Sequence, residues 1–174
     1  MTRALLVIDL QQEFARRTAA GMARSNPGAE ARVADLIAGF RGAGLPVIHI
    51  HHDDPNPASG FRQDKPTGRV MPCAAPRADE PVFVKRGSSA FIGTGLEDHL
   101  RQAGIADLVV IGAAVNFCVA STVRQAANLG FTVTLVSDAV FGFGVTGPDG
   151  RAHDPDTVLS VTLGTLGAGF ARLA

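Results

Sequence analysis

The chain has 174 residues, of which 46% are hydrophobic and 18% charged, a composition that indicates a folded globular protein rather than a disordered one. Sixteen basic residues balance sixteen acidic ones, so nucleic acid and anionic membranes are not predicted as partners. The chain has two cysteines and no secretory signal, which predicts a cytoplasmic protein without a disulfide framework. Its apolar runs are no longer than a strand, so no membrane span is predicted. Its length predicts one domain over residues 1–174.

Strands and helices are predicted to alternate along the chain. Apolar runs predict strands at residues 3–9, 46–50, 81–85, 108–112 and 131–136, with a short edge strand at 170–173. Helices are predicted from the Asn26 cap to Gly44, from a capping box at Thr94 and Glu97, over residues 118–129, and from Asp154. Residues 10–25 are polar and irregular, and residues 52–80 form a long loop. This alternation predicts an α/β protein with three αβα layers around a mostly parallel, doubly wound sheet.

Three reactive side chains lie at or just beyond predicted strand ends. Asp9 ends the first strand, Lys85 ends the third, and Cys118 follows the fourth. Ligands of doubly wound sheets bind at the carboxyl ends of the strands, so we expect these side chains to meet there.

Cys118 is predicted to be a nucleophile because it lies at the start of a helix, whose positive field favours a thiolate. Asp9 can take its proton, and Lys85 can stabilise the thiolate while keeping Asp9 ionised. Backbone N–H groups near Ala114 and Cys118 can hold the developing oxyanion.

Segments around these residues carry a family resemblance. They are LLVIDLQQEF at 5–14, VKRGSSAF at 84–91, VIGAAVNFCV at 110–119 and VSDA at 136–139. With them the chain resembles, nearly end to end, the isochorismatase-like cysteine hydrolases, the family of nicotinamidases and N-carbamoylsarcosine amidohydrolases. The resemblance implies a catalytic triad of Asp9, Lys85 and Cys118. It also implies a cis peptide between Ala113 and Ala114 that turns the Ala114 N–H toward the oxyanion, no organic cofactor, and a homodimer or homotetramer.

Six further residues are predicted to contact a small-molecule substrate. They are Gln11, Phe14, Ser89, Phe91, Asn116 and Phe117. A purely structural role remains open for three of them. Phe14 can pack in the core, and Ser89 and Phe91 can form a turn of the chain. The 52–80 loop is expected to help select the substrate.

A histidine cluster follows the second strand. His49 and His51 share one strand face and Asp53 offers an oxygen, so these three are the candidate metal ligands. The metal-binding pattern of nicotinamidases is different, since it has an Asp-x-His pair and a further His. Because no third ligand with suitable spacing is evident, we predict no metal site and treat these histidines, with His52, as strand and loop residues near the pocket.

The predicted function is hydrolysis of a C–N bond in a small amide or carbamoyl compound through a thioester on Cys118. Two alternatives remain open. One is an isochorismatase-type vinyl-ether hydrolase, a reaction that needs no thiol and for which Arg86 could bind a substrate carboxylate. The other is a ligand-binding module of the same fold without catalytic activity.

Overall fold

Six parallel strands form the central sheet, which a computed structural model describes for residues 2–174. The described residues contain eight strands in all: β1 (Thr2–Ile8), β2 (Val47–His52), β3 (Val82–Lys85), β4 (Ile105–Ala113), β5 (Thr132–Phe141), β6 (Val145–Thr146), β7 (Ala152–His153) and β8 (Arg172–Leu173). The sheet order is β3-β2-β1-β4-β5-β8, while β6 and β7 form a separate antiparallel pair. Every pairing in the six-stranded sheet is parallel, which confirms the doubly wound prediction.

Helices cover both faces of this sheet. They are α1 (Gln12–Ala19), α2 (Ala29–Gly42), α3 (Leu96–Gln102), α4 (Ala120–Asn128) and α5 (Pro155–Gly167). Leu6 and Ile8 of β1 belong to the core that contains the apolar side chains of α3, α4 and α5. Leu5 and Val7 belong to the other core, with α1 and α2. The three-layer prediction is therefore confirmed. Within residues 2–174, none of the helices has the length and apolar character needed to cross a membrane.

The strand order reverses between β1 and β4, and this reversal opens the crevice in which such sheets bind ligands. The two strands approach closely there. Gly112 has φ 128°, and a Cβ at this position would lie 2.1 Å from the Ile8 carbonyl oxygen. A side chain at residue 112 would therefore push apart the two strands that precede Asp9 and Cys118.

The polar stretch after β1 contains a helix that the sequence pattern did not reveal. In α1, Glu13 is buried, and its carboxylate is paired with Arg16 at 2.7 Å and Arg17 at 2.9 Å. This pairing allows an acidic residue to occupy the inward face beside Phe14, so few apolar residues mark the helix in the sequence.

Two predicted helix starts are also wrong. Asn26 has φ 45° and donates to the carbonyl oxygens of Ser137 and Val140 instead of capping α2, which begins at Ala29. Thr94 donates to the Ala90 carbonyl oxygen and forms no capping box with Glu97. At Asn26, bonds to distant backbone replace the local cap. The Thr94 hydroxyl also accepts the Leu96 N–H at 3.3 Å, without a return bond from Glu97.

Candidate active site

The three predicted catalytic residues lie at the carboxyl edge of the sheet. Asp9 follows β1 in a left-handed conformation with φ 51°, and its N–H donates to the Ile50 carbonyl oxygen at 2.9 Å. Lys85 is the last residue of β3, in register with His52 of β2. Cys118 lies in a π-helical turn, Val115–Val119, that joins β4 to α4.

Lys85 lies between the other two side chains. Its Nζ is 2.7 Å from Asp9 Oδ2 and 3.2 Å from Cys118 Sγ, and it also donates to the Gly87 carbonyl oxygen at 3.1 Å. Lys85 is fully buried and Asp9 is 2% exposed. The structure thus brings the three residues together, as expected from their positions at strand ends.

The protonation state of Cys118 differs from the sequence expectation. Burial and the neighbouring negative charge of Asp9 raise the pKa of the thiol to about 12, and the Lys85 charge offsets only part of this effect. Burial also raises the pKa of Asp9, against the opposing Lys85 charge. Any favourable field from the start of α4 is outweighed at Cys118, because the thiol lies inside a buried turn next to a carboxylate. The resting site therefore holds a thiol, and the proton must leave when the sulfur attacks.

The peptide bond between Ala113 and Ala114 is cis, as the family resemblance implied. Ala113 is buried at the end of β4, whereas Ala114 lines a cavity next to Cys118. The Ala114 carbonyl oxygen accepts the N–H groups of Phe117 at 3.0 Å and Val119 at 3.3 Å. These bonds fix the turn that carries Cys118 and leave the Ala114 N–H as the candidate oxyanion donor.

A cavity of about 710 Å³ opens over Cys118. Its wall combines aromatic and charged groups: Asp9, Phe14, Arg17, His52, Asp54, Phe61, Arg86, Asn116, Phe117 and Phe143. The rings of Phe14 and Phe61 meet edge to face at 4.8 Å, and Arg17 lies over Phe61 at 5.2 Å. A flat, largely apolar group with one or two polar atoms suits such a wall.

Three of the six predicted substrate residues line this cavity, namely Phe14, Asn116 and Phe117. Phe14 also belongs to the core beneath α1, so both of its predicted roles are compatible with its position. Phe117 precedes the candidate nucleophile and is 58% exposed.

The other three predicted substrate residues are placed elsewhere. Gln11 is fully buried, and its side chain bonds backbone atoms of His52 and Gly68. The Ser89 hydroxyl accepts the Phe91 N–H at 3.3 Å, and the Phe91 ring stacks on Phe131 in the core. Gln11, Ser89 and Phe91 therefore do not line this cavity, whereas Ser88 of the same loop does, and substrate contact by the three stays a prediction.

The candidate metal ligands point to different partners. Buried His49 contacts the Glu80 carboxylate through Nε2 at 2.9 Å, and Asp53 accepts the Gln63 N–H. The ring centroids of His49 and His51 are 6.5 Å apart. Among residues 2–174, no three His, Cys, Asp or Glu side chains are grouped as metal ligands would be.

His52 also belongs to the site, although the sequence predicted it only as a residue near the pocket. Because successive strand residues face opposite sides, His52 turns into the cavity while His51 turns away. Its Nδ1 is 3.3 Å from Lys85 Nζ. The β2–β3 register, which pairs His52 with Lys85, was the signal that could have identified it.

The fold and site together define a class: a parallel α/β protein of isochorismatase-like architecture, with an Asp–Lys–Cys cluster at the switch point of its sheet. A family model described as the isochorismatase domain matches residues 3–154. The chain belongs to the isochorismatase family of hydrolases.

Individual relatives extend this finding. The chain is 31% identical to the uncharacterised isochorismatase-family protein YrdC of Bacillus subtilis, over 98% of this chain and 90% of that protein. A solved structure of an isochorismatase-family protein from Chromobacterium violaceum superposes with a TM-score of 0.94 at 40% identity, covering 99% of this chain and 89% of that one. Maleamate amidohydrolase of Pseudomonas putida is 29% identical over 79% of this chain and 71% of its own length.

Proposed function

We propose that this isochorismatase-family hydrolase cleaves a C–N bond of a small amide or carbamoyl compound through a thioester on Cys118. The observation that supports this best is the buried Lys85 ammonium, which contacts both Asp9 and the Cys118 sulfur at the base of an open cavity. The similarity to maleamate amidohydrolase, a relative named for amide hydrolysis, points in the same direction.

In the first half-reaction, the Cys118 sulfur attacks the amide carbonyl while its proton passes to Asp9. The raised pKa of Asp9 makes this carboxylate a stronger base than an exposed aspartate. Lys85 remains positively charged beside the sulfur and stabilises the negative charge that develops there as Asp9 takes the proton. The N–H groups of Ala114 and Cys118 stabilise the oxyanion.

Collapse of the tetrahedral intermediate breaks the C–N bond, and Asp9 returns its proton to the departing amine or ammonia. The acyl group then remains on Cys118 as a thioester. Asp9, again ionised, deprotonates a water molecule that hydrolyses the thioester and restores the thiol. Asp9 thus serves as base, acid and base in turn, while Lys85 stabilises charge throughout.

The cavity wall favours a small substrate. Phe14, Phe61 and Phe143 present aromatic surface, with Phe14 and Phe143 stacked at 5.9 Å. Arg17 is already paired with Glu13, which reduces its attraction for a substrate anion. We therefore place amides with a compact, flat acyl group first among candidate substrates.

A panel of small amides, with ammonia release as the measured product, tests the proposal. We expect the wild-type protein to release ammonia from at least one member and the Cys118→Ala variant to release none. Ammonia release that survives this substitution would contradict a thioester on Cys118. Thiol-independent hydrolysis of an isochorismate-type vinyl ether, with no ammonia released from any amide, would instead favour the vinyl-ether reaction, with Arg86 as a carboxylate-binding residue. A folded wild-type protein that binds these amides without releasing ammonia would favour a non-catalytic module.

A further inference from the structure

The Lys85 ammonium has four close neighbours but only three hydrogens. Besides Asp9, Gly87 and Cys118, the fourth neighbour is Nδ1 of His52, at 3.3 Å. Lys85 is fully buried, so its charge acts on the imidazole with little screening by water. A hydrogen on Nδ1 would point at this positive charge, and Nδ1 must therefore present its lone pair.

The imidazole of His52 is uncharged near neutral pH. Burial and the positive charge of Lys85 lower its pKa below the ordinary histidine value, although nearby carboxylates act in the opposite sense. A neutral imidazole with a lone pair on Nδ1 carries its hydrogen on Nε2. Lys85 thus selects the tautomer of His52.

The backbone of His52 is anchored from behind. The Gln11 side chain accepts the His52 N–H at 2.8 Å and donates to the His52 carbonyl oxygen at 2.9 Å. A further Gln11 bond to the Gly68 carbonyl oxygen, at 2.7 Å, anchors the amide. The His52 ring also meets Phe61 edge to face, with centroids 5.9 Å apart, on the cavity wall.

Building on the proposed function, we propose that His52 is a specificity-determining residue whose Nε2–H donates a hydrogen bond to an acceptor atom of the substrate acyl group. The preferred substrates are then amides in which a flat acyl group carries an acceptor, such as a ring nitrogen or a second carbonyl oxygen. The flat part packs against Phe14 and Phe61, and the acceptor faces His52.

The tautomer can be measured without any substrate. Long-range ¹H–¹⁵N spectra distinguish the two ring nitrogens, and the His52 signals are assigned by their loss in the His52→Asn variant. We expect protonation at Nε2 alone at neutral pH. Protonation at Nδ1, or a mixture of both tautomers, would overturn the proposal.

Substrate recognition can be tested with two variants that separate the two nitrogens of the ring. His52→Asn keeps an acceptor near the position of Nδ1 but has no donor at the position of Nε2. His52→Gln places a donor near the position of Nε2 and loses the contact with Lys85. His51→Asn, on the opposite face of β2, is the matched control. Thermal unfolding of each variant checks that it is folded.

The probes are benzaldehyde and the three pyridinecarbaldehydes, which form reversible thiohemiacetals with a thiol and differ only in the ring nitrogen. For each protein, the Kd of benzaldehyde is divided by the Kd of the pyridinecarbaldehyde that binds most tightly. Comparing this ratio between a variant and the wild type cancels the intrinsic reactivity of the aldehydes. We expect His52→Asn to lower this ratio about fivefold, the effect of one neutral hydrogen bond, and His52→Gln and His51→Asn to preserve most of it.

An unchanged ratio in His52→Asn, or an equal loss in the His51→Asn control, would overturn the role of His52. It would leave the proposed hydrolysis intact, because wild-type ammonia release is measured separately. Failure of the wild-type protein to bind any of the aldehydes would instead count against a nucleophilic Cys118, and the tautomer measurement would still decide the selection by Lys85.

Discussion

Two buried ionic clusters flank β2, and they use their carboxylates in opposite ways. At the carboxyl edge of the sheet, Asp9 Oδ2 contacts Lys85, while no hydrogen bond of standard geometry reaches Oδ1 from residues 2–174. Beside the amino half of β2, both oxygens of Glu80 accept bonds from Arg41, and one also contacts His49. One carboxylate keeps a free oxygen next to a thiol, and the other has none.

The pKa values reflect the same difference. Burial dominates at Asp9 and raises its pKa, whereas hydrogen bonds from Arg41 dominate at Glu80 and lower its pKa to about 2. A carboxylate with a raised pKa and a free oxygen accepts a proton more readily than one whose oxygens are all bonded. Burial and charge are therefore shared by both clusters, and the hydrogen bonding of the carboxylate oxygens is what differs between them.

Removal of the nucleophile should have the largest effect. We expect Cys118→Ala to lower kcat for any amide substrate by at least about 10³-fold, since a covalent route requires this sulfur. Cys73, in the short helical turn Pro72–Ala74, provides the matched control, because it lies outside the cavity. Cys73→Ala should keep near wild-type kcat, and a comparable loss in both variants would contradict the assignment.

Removal of the base should rank next. Asp9→Asn keeps the shape of the side chain but cannot accept the thiol proton, so we expect kcat to fall by about 10²- to 10⁴-fold. Glu80→Gln makes the same chemical change in the other cluster and should leave kcat within a few-fold of wild type. Steady-state kinetics of the two variants would break the comparison if Glu80→Gln were the more damaging.

For folding stability, unlike for kcat, Glu80→Gln should be the more damaging of these two substitutions. Glu80→Gln leaves Arg41 with a neutral partner in a largely buried pair, so we expect a loss of about 2–4 kcal/mol in the free energy of unfolding. Urea unfolding at neutral pH measures this loss. A stability equal to that of the wild type would show that the Glu80 cluster contributes little to the fold.

The same cluster should make stability depend on acid. Because the folded-state pKa of Glu80 is lowered to about 2, its contribution is complete above the unfolded value near 4.5 and is lost as pH falls toward 2. Urea unfolding from pH 7 to pH 2 should therefore show a steeper decline for wild type than for Glu80→Gln. Parallel declines in the two proteins would contradict this assignment.

The alkylation rates of the two cysteines should differ by a smaller factor than the kcat values of the variants above. Burial raises the pKa of Cys73 to about 11 and that of Cys118 to about 12, so neither thiol is ionised at neutral pH. Cys118 lies beside Asp9 and lines the open cavity, whereas Cys73 does not line it, and we expect iodoacetamide to label Cys118 about tenfold faster than Cys73. Peptide mass spectrometry gives both rates, and the advantage should disappear in Asp9→Asn.

Sequence patterns revealed the features that arise from chain order. Strand ends located Asp9, Lys85 and Cys118 because a parallel sheet brings all carboxyl ends to one edge. Helix α1 was missed since buried Glu13 satisfies its charge with Arg16 and Arg17, a pairing that polarity alone hides.

Side-chain direction was the harder part of the site to predict. Gln11 follows Asp9 closely, yet its amide turns to the His52 backbone and away from the cavity. The thiol state of Cys118 depends on burial and on a carboxylate that is over a hundred residues away in sequence. Long-range contacts of this kind leave no local signature in the chain. The predicted homodimer or homotetramer and the cytoplasmic location stay predictions.

The most direct test of the account is acyl transfer to hydroxylamine during hydrolysis of an active amide. A thioester on Cys118 can be intercepted by hydroxylamine, so the wild-type protein should convert part of the amide to the hydroxamate. The Cys118→Ala variant should form neither hydroxamate nor free acid. Production of the free acid alone by the wild-type protein, at high hydroxylamine concentration, would contradict an acyl-enzyme on Cys118.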